Sequence, residues 1–448
     1  MTMATLSMDD ISAIASRHPE VFAGSARKRL TGWLVGAGIV AYLAFAWWFF
    51  SMGTVFMSAN WSIAGTYLAD WVSYETRPAI KFDGNRLDVG YPRFSAYNAD
   101  RHPDWLAFEG DGQTNRVVAD FGGADAVDIT ARAVNVMRDG ERLVVAVDGA
   151  AALPEGILPE WASQKVHGGK LIVDFGFAGS AEIEGDEVKV RRRFLGWENF
   201  LFDAYSPFWG KPLSEVIALV WSGDRLDPAR SNAALAWSNI VNNAEWQHGD
   251  VWTKLLQTIV MAFVGTVFAS LLAFPLAFAA ARNITPNRLV NQAAKRLFDF
   301  LRSVDMLIWA LFFTRAFGPG PLAGISAIFF TDTGTFGKLY SEALENIDDK
   351  QREGVRSVGA APAVVQRYGV IPQVLPLFAS QSLYFWESNT RSATIIGAVG
   401  AGGIGLKLWE AMRTNSDWEN VAYMVLLILV VVFIFDTISG VLRRRLVG

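Results

Sequence analysis

The sequence predicts an α-helical, polytopic membrane protein of six spans, with a β-rich domain inserted between the first and the second. Three observations carry that prediction. The chain is 52 % hydrophobic and only 19 % charged, with mean hydropathy at +0.24, whereas soluble domains carry roughly 25 % charged residues. Long apolar runs occur at Trp33–Met57 and then repeatedly beyond residue 250. Between them, from about residue 80 to 200, apolar and polar residues alternate in short stretches punctuated by Gly and Asp, the signature of half-buried strands.

Six spans of about 20 residues use only about 120 residues, so an insert must absorb much of the 448-residue length. The composition also excludes classes. A net charge of -4 and a pI near 5.7 do not make the basic field of a nucleic-acid binder. The absence of cysteine excludes disulfides, thiolate metal sites and cysteine nucleophiles. All four histidines (His18, His102, His167 and His248) precede residue 250, which argues against haem or a His-rich metal site in the C-terminal half.

Residues 1–30 read as a cytosolic segment. Ile11, Ile14, Ala15 and His18 fall at helical spacing ahead of the basic cluster Arg27, Lys28 and Arg29. The run 31–57 is a first transmembrane anchor, too long and too late for a cleaved signal peptide. The basic cluster keeps the N-terminus in the cytoplasm. Residues 58–250 form the extracytoplasmic insert, β-rich within about 80–200. Arg142–Asp148, Lys170–Phe175 and Glu187–Arg192 read as strands, and Gly110–Gly112, Gly122–Gly123, Asp139–Gly140 and Gly168–Gly169 as turns. Residues 81–200 hold 20 acids and 14 bases with no catalytic constellation among them, so a docking or spacer module is expected. The Trp-, Asn- and Pro-rich stretch 201–250 reads as a return path with short interfacial helices.

Residues 251–448 supply five further spans: Trp252–Ala281 interrupted by Pro275, Leu297–Phe317, Pro319–Leu344, Pro372–Ile396 and Val421–Ser439. An even total returns Arg443, Arg444 and Arg445 to the cytoplasm. Arg282, Arg288, Lys295 and Arg296 share one cytosolic loop; Lys350, Arg352, Arg356 and Arg367 share the other.

That second loop, about 345–376, holds Asp348 and Asp349 as capping residues, then Glu353-Gly354-Val355, a turn at Gly359, a second short helix, and Pro372 restarting the chain into the membrane. It closely resembles the cytoplasmic coupling loop of ABC-transporter permeases. Glu353, Gly359 and Pro372 stand at the family's spacing. Gly354 and Val355 replace its two alanines, Gly369 its isoleucine and Ile371 its leucine. Glu387–Gly405, Tyr368–Pro376, Arg302–Ala310, Gly318–Gly324, Gly337–Leu339 and Glu342-Ala343 narrow the resemblance to the permease subunit of phosphonate ABC importers, within the methionine-importer-like superfamily. The resemblance covers about residues 250–448 and the first anchor, but not the insert.

The resemblance implies a type I ABC importer permease core in the bacterial inner membrane, both termini cytoplasmic. It implies an importer for phosphonate or a related phosphorus oxyanion, with phosphite, phosphate or methionine as alternatives. Two copies would form the path as a homodimer. Two ATP-binding subunits would receive the coupling loop and hold ATP and magnesium, leaving no cofactor in this chain, and a periplasmic or surface phosphonate-binding protein would deliver the solute. No Walker motif occurs: Gly334–Lys338 has the wrong spacing, and Leu339 stands where Ser or Thr is needed. Gly400-Ala-Gly402-Gly-Ile-Gly405 satisfies a dinucleotide pattern but lacks the soluble βαβ unit such a site requires.

Glu387 and Arg391, four residues apart, share one helix face. Ions inside a bilayer are costly and usually meet a partner or a cavity. One reading has Arg391 and Asn389 border a passage for anions, with Glu387 holding Arg391; the other makes the pair a packing contact. Asp305, Asp332 and Arg315 are further candidates. Gly397, Gly400, Gly402, Gly403 and Gly405 permit close helix approach or a hinge. Two rivals stand further off. A ligand sensor needs a cytosolic signalling domain, and a membrane-embedded enzyme needs a catalytic constellation in a half without histidine.

Overall fold

The computed structural model describes residues 16, 26–59, 61–92, 95–98, 100–109, 115–414 and 418–447. The helical spacing from Ile11 to His18 and the turn at Gly110–Gly112 lie outside the described residues. Two compact units result, residues 1–67 and 68–448.

The first unit contains α1 (Ala26–Phe49) and α2 (Met52–Ser58), followed by the start of α3 (Trp61–Asp70). Ser51, in the left-handed region at φ 49°, makes the turn between α1 and α2. Leu30–Phe49 is apolar on all sides and unburied, with Trp33, Leu43 and Trp48 all largely exposed. Such a surface suits lipid rather than water.

The second unit begins with the insert. Its thirteen strands are β1 (Ser73–Thr76), β2 (Ala79–Asp83), β3 (Arg86–Gly90), β4 (Leu106–Glu109), β5 (Arg116–Gly122), β6 (Asp125–Thr130), β7 (Ala133–Arg138), β8 (Glu141–Val147), β9 (Ala152–Pro154), β10 (Ala162–Gln164), β11 (Leu171–Asp174), β12 (Gly179–Ile183) and β13 (Glu187–Leu195). β4 to β9 form a six-stranded meander. The other sheet runs β10-β11-β12-β13-β2-β3, with β1 also against β13. All pairings are antiparallel. Alternation puts Leu143, Val145 and Val147 of β8 and Val188 and Val190 of β13 on the inner faces, and both sheets share one core. The strands expected at 142–148, 170–175 and 187–192 correspond to β8, β11 and β13.

Where β13 ends, aromatic residues join the insert to the helices. Trp197 packs on Trp246 and Phe200, and Phe200 on His248 and Tyr423. A directed chain of hydrogen bonds runs through them. The indole N–H of Trp252 donates to Tyr423 Oη at 2.8 Å, and His248 pairs with Tyr423 Oη at 2.8 Å and the Phe200 carbonyl at 2.6 Å. A carbonyl only accepts, so His248 Nε2 carries the proton and its neutral Nδ1 accepts from the tyrosine. Between Phe200 and Trp246 lie two short helices, α4 (Leu213–Ser222) and α5 (Asn232–Val241), on the stretch where short helices are expected.

The helical core contains α6 (His248–Ala280), α7 (Arg288–Ser303), α8 (Met306–Phe317), α9 (Pro321–Glu345), α10 (Asp349–Ser357), α11 (Pro362–Val365), α12 (Ile371–Ile396), α13 (Gly403–Thr414) and α14 (Trp418–Val447). Pro275 lies inside α6 without ending it, so the interruption expected there is absent. The crossing expected at Leu297–Phe317 is two helices. Asp305 accepts the backbone N–H of Leu307 at 2.8 Å and so caps a new helix instead of continuing the old one. Among the described residues, three helices are long and apolar enough to span a membrane (α1, α6 and α14), and the pair Pro362–Ala401 and Gly403–Thr414, bent by 60°, passes the same test when taken together.

α9 is about 37 Å long but too polar to stand against lipid. It is the central helix, with Ala323, Ala327, Asp332, Phe336, Tyr340 and Leu344 buried. Glycine lets its neighbours close in: a Cβ on Gly337 would lie 2.2 Å from the Phe298 ring of α7, and one on Gly334 2.7 Å from the Arg302 nitrogen.

Glu182, on β12, is nearly buried between Lys170 at 2.6 Å and Arg191 at 2.8 Å. Burial raises its pKa, but the hydrogen bond from Lys170 and the charges of Arg191, Lys170 and Lys189 outweigh it and hold the carboxyl below its ordinary value. A depressed folded-state pKa gives stability that is complete above the unfolded value and lost as pH falls through the folded one. We therefore expect the β signal of the full chain in detergent to melt earlier as pH drops below about 4, and Glu182→Gln to flatten that dependence. An unchanged slope would contradict the assignment.

Candidate functional site

The cytosolic loop folds as a helical arm. Asp348 caps α10 by accepting the N–H of Lys350 at 3.0 Å, and Arg352 pairs with Asp349 at 2.9 Å. α10 buries none of its residues; Glu353, Gly354 and Gly359 are exposed and Val355 half-buried. The chain turns at Gly359, whose φ of +78° suits glycine. It then enters α11 and continues without a break. Residues Gln366–Val370 form a π-turn in which the Ile371 N–H bonds the Gln366 carbonyl. The expected fresh start at Pro372 is thus a widened turn. Pro372 has no N–H to donate to the carbonyl four residues back, and the longer register accommodates it within the first turn of α12.

Gly369 explains one departure from the family pattern. It is buried, and a Cβ there would lie 3.2 Å from Arg352 Cα, so glycine lets α10 pack on the π-turn. Arg352 also donates to the Asn283 carbonyl at 3.3 Å, and Gln373 to the Gly369 carbonyl at 2.5 Å. The arm is therefore tied both to the loop after α6 and to the foot of α12.

Further along, α12 carries polar groups on different faces. Asn389, facing α6 and α9, donates to Thr266 Oγ1 at 2.7 Å and to Asp332 Oδ2. All three are at least 97 % buried. Below them Ser270, Tyr340 and Ser382 form a closed ring of hydrogen bonds, each 2.9 Å, joining the same three helices. On another face Glu387, 6 % exposed, lies 3.5 Å from Arg391 and 3.5 Å from Arg443 of α14. Arg391 is 53 % exposed on its side chain. Of the remaining candidates, Asp305 joins neither group and is the exposed cap of α8, and Arg315 is exposed in the last turn of the same helix.

α12 ends in a second π-turn, Gly397–Ala401, and bends by 60° into α13. Gly400, Gly402 and Gly403 have φ of +103°, +83° and +72°, values that strain any other residue. The Gly320 N–H bonds the Gly400 carbonyl at 3.0 Å; Gly403 and Ile404 donate to Gln257 at 3.2 Å and Thr258 at 2.9 Å. A Cβ on Gly405 would lie 1.8 Å from the Thr394 carbonyl oxygen, and one on Gly397 2.5 Å from that of Gly402.

Spacing foreshadowed the pairing of Glu387 with Arg391. It gave no sign of Arg443, which lies 56 residues away and reads as a cytosolic flank. Thr266 was equally hidden, its only signal being a hydroxyl in an apolar run. Two outcomes follow. Glu387→Ala leaves two arginines facing a missing carboxylate and should cost on the order of 1–3 kcal/mol of stability in detergent melts, while Glu387→Gln costs less; equal melts for all three would mean that the pair contributes nothing. Gly405→Ala should be far more damaging, since the methyl meets backbone, whereas Gly354→Ala, with open space around it, should melt as the parent does.

Residues 273–448 match the family model for the binding-protein-dependent transport system inner membrane component. The chain is 41 % identical over 195 residues to the phosphite transport system permease protein of Stutzerimonas stutzeri, covering 43 % of this chain and 70 % of that one. It is 49 % identical over 121 residues to a putative cryptic phosphonate transport system permease protein of Escherichia coli K12, covering 27 % and 98 %. Among solved structures, an inward-facing methionine ABC transporter is similar at a TM-score of 0.40 and 20 % identity, over 44 % of this chain and 95 % of that one. With α1, α6 and α14 each able to span a bilayer, this chain is a multi-pass permease and belongs to the family of binding-protein-dependent transport system inner membrane components.

Proposed function

We propose that the chain is the permease subunit of an ATP-driven importer for phosphonate or a related phosphorus oxyanion, working by alternating access. The observations that carry the reading are the 41 % identity over 195 residues to a phosphite permease and the 49 % identity over 121 residues to a putative phosphonate permease. Phosphite or phosphate is the second reading, favoured by that same relative and by a phosphate-import permease of Mycolicibacterium smegmatis, 36 % identical over 198 residues.

In this reading the type I core crosses the inner membrane six times, by α1, α6, α7 with α8, α9, α12 and α14, and both termini face the cytoplasm. Residues 1–30, 31–57, 58–250 and 251–448 are the cytosolic segment, anchor, extracytoplasmic insert and permease core. Two copies form the path, and two ATP-binding subunits below them hold ATP and magnesium. An external binding protein selects the solute. Glu353, Gly354, Val355, Gly359, Gly369, Ile371 and Pro372 form the arm that receives the motor. Because α10 packs on the π-turn at Gly369 and that turn runs on into α12, a push at α10 tilts the helix that carries Glu387, Asn389 and Arg391. Asp332 and Thr266 steady it from the other side. Arg391, half-exposed and held by a carboxylate, suits an oxyanion that competes for the same guanidinium. Gly397, Gly400, Gly402, Gly403 and Gly405 let the far end of α12 turn.

Deleting the chain should abolish growth on phosphonate as sole phosphorus source and spare growth on phosphate taken up by other routes; loss on phosphite alone would favour the second reading. Purified with its neighbours, the chain should bring down an ATPase. Glu353→Ala with Gly359→Val should uncouple that ATPase from transport. Assembly without any ATPase would overturn the importer reading.

A further inference from the structure

We propose that the groove between residues 197–202 and 208–216 binds a primary ammonium carried beside a phosphoryl or phosphonyl group. The phosphorus-bearing end rests on the importer reading above; the ammonium end does not. The cavity is about 540 Å³, within the usual range for small-ligand sites. Its wall is aromatic, with Trp197, Phe200, Phe202 and Trp209, and it holds one carboxylate, Glu198, and one ammonium, Lys211.

Glu198 is half-buried and accepts no hydrogen bond on its carboxylate from the described residues. Its charge is felt by Tyr74 and Tyr97, whose hydroxyls are pushed up first by burial and then by this carboxylate. Burial pushes its pKa up, the mark of a charge without compensation. A ligand ammonium supplies that compensation and gains further from the ring faces. Trp209 is held in place: its indole N–H donates to Asn199 Oδ1 at 2.6 Å and the guanidinium of Arg101 already covers one ring face, 3.6 Å from the centroid, which leaves the ring contacts of a ligand ammonium to Trp197, Phe200 and Phe202. At the other end Lys211 pairs with Glu215 one turn along. Both are partly exposed, and an exposed pair of this kind is worth little, so Lys211 can exchange it for a phosphoryl oxygen. A carboxylate and an ammonium on one aromatic wall select a zwitterion. Two sources share that chemistry, a free aminoalkylphosphonate and the aminoethyl phosphate head group of a lipid.

Calorimetry on the full chain in phosphatidylglycerol nanodiscs tests the site with aminoethylphosphonate, ethanolamine and methylphosphonate. We expect aminoethylphosphonate to bind best, ethanolamine weakly and methylphosphonate not at this site. Glu198→Gln should weaken aminoethylphosphonate by about tenfold or more with an unchanged melt. Lys211→Met should weaken aminoethylphosphonate but not ethanolamine. Replacing the lipid by phosphatidylethanolamine separates the sources: competition assigns the groove to the head group, and undiminished binding assigns it to the free solute. The proposal is overturned if Glu198→Gln alters neither aminoethylphosphonate binding nor phosphatidylethanolamine retention. Failure of the importer reading looks different: methylphosphonate growth would not depend on the chain, while ammonium binding in the groove would persist.

Discussion

Every irregular stretch of backbone in the helical core must find its hydrogen-bond partners within the protein, because a bilayer offers none. The three breaks in the core all obey this constraint. Asp305 supplies the cap where α7 gives way to α8. At Pro372 the ladder widens to a π-turn instead of opening. Around Gly400 the left-handed turn is held by Gly320 on one side and by Gln257 and Thr258 of α6 on the other. The central position of α9 follows from the same rule. A helix bearing Asp332, Thr333 and Lys338 avoids lipid only by being surrounded by α6, α7 and α12, and its glycines make that approach possible.

The breaks also decide what moves with what. From α11 through the π-turn to α12 the backbone is one continuous helical path, and α10, beyond the turn at Gly359, packs on that π-turn at Gly369. Across α12, two kinds of contact differ in how readily they exchange. The Asp332–Asn389–Thr266 cluster is deeply buried, and the Ser270–Tyr340–Ser382 ring closes on itself in short hydrogen bonds. The arginines around Glu387 are partly exposed and stand at 3.5 Å. The first set fixes α12 against α6 and α9; the second leaves a guanidinium half-exposed.

The insert follows other rules. It has its own core, two antiparallel sheets and an ion-paired outer face, and it meets the helices through aromatic rings and the Trp252–Tyr423–His248–Phe200 chain. The family model matches residues 273–448, so the insert lies outside it.

The amino-acid sequence by itself determined the class of the protein, the location and strand character of the insert, the arm with its turn at Gly359, and the pairing of Glu387 with Arg391. Each of these is local: a hydropathy run, a period of two, a glycine at a fixed offset, a spacing of four along a helix. Tertiary structure decided what depends on long-range approach. It split one expected span at Asp305, carried Pro275 and Pro372 inside continuous helices, and brought Arg443 to Glu387 and Thr266 to Asn389. It also left Asp305 away from both polar groups. No periodicity within a segment reports which face of a second helix will oppose it. That is set by where glycines allow backbones to close, and by the need of each buried polar group for a partner.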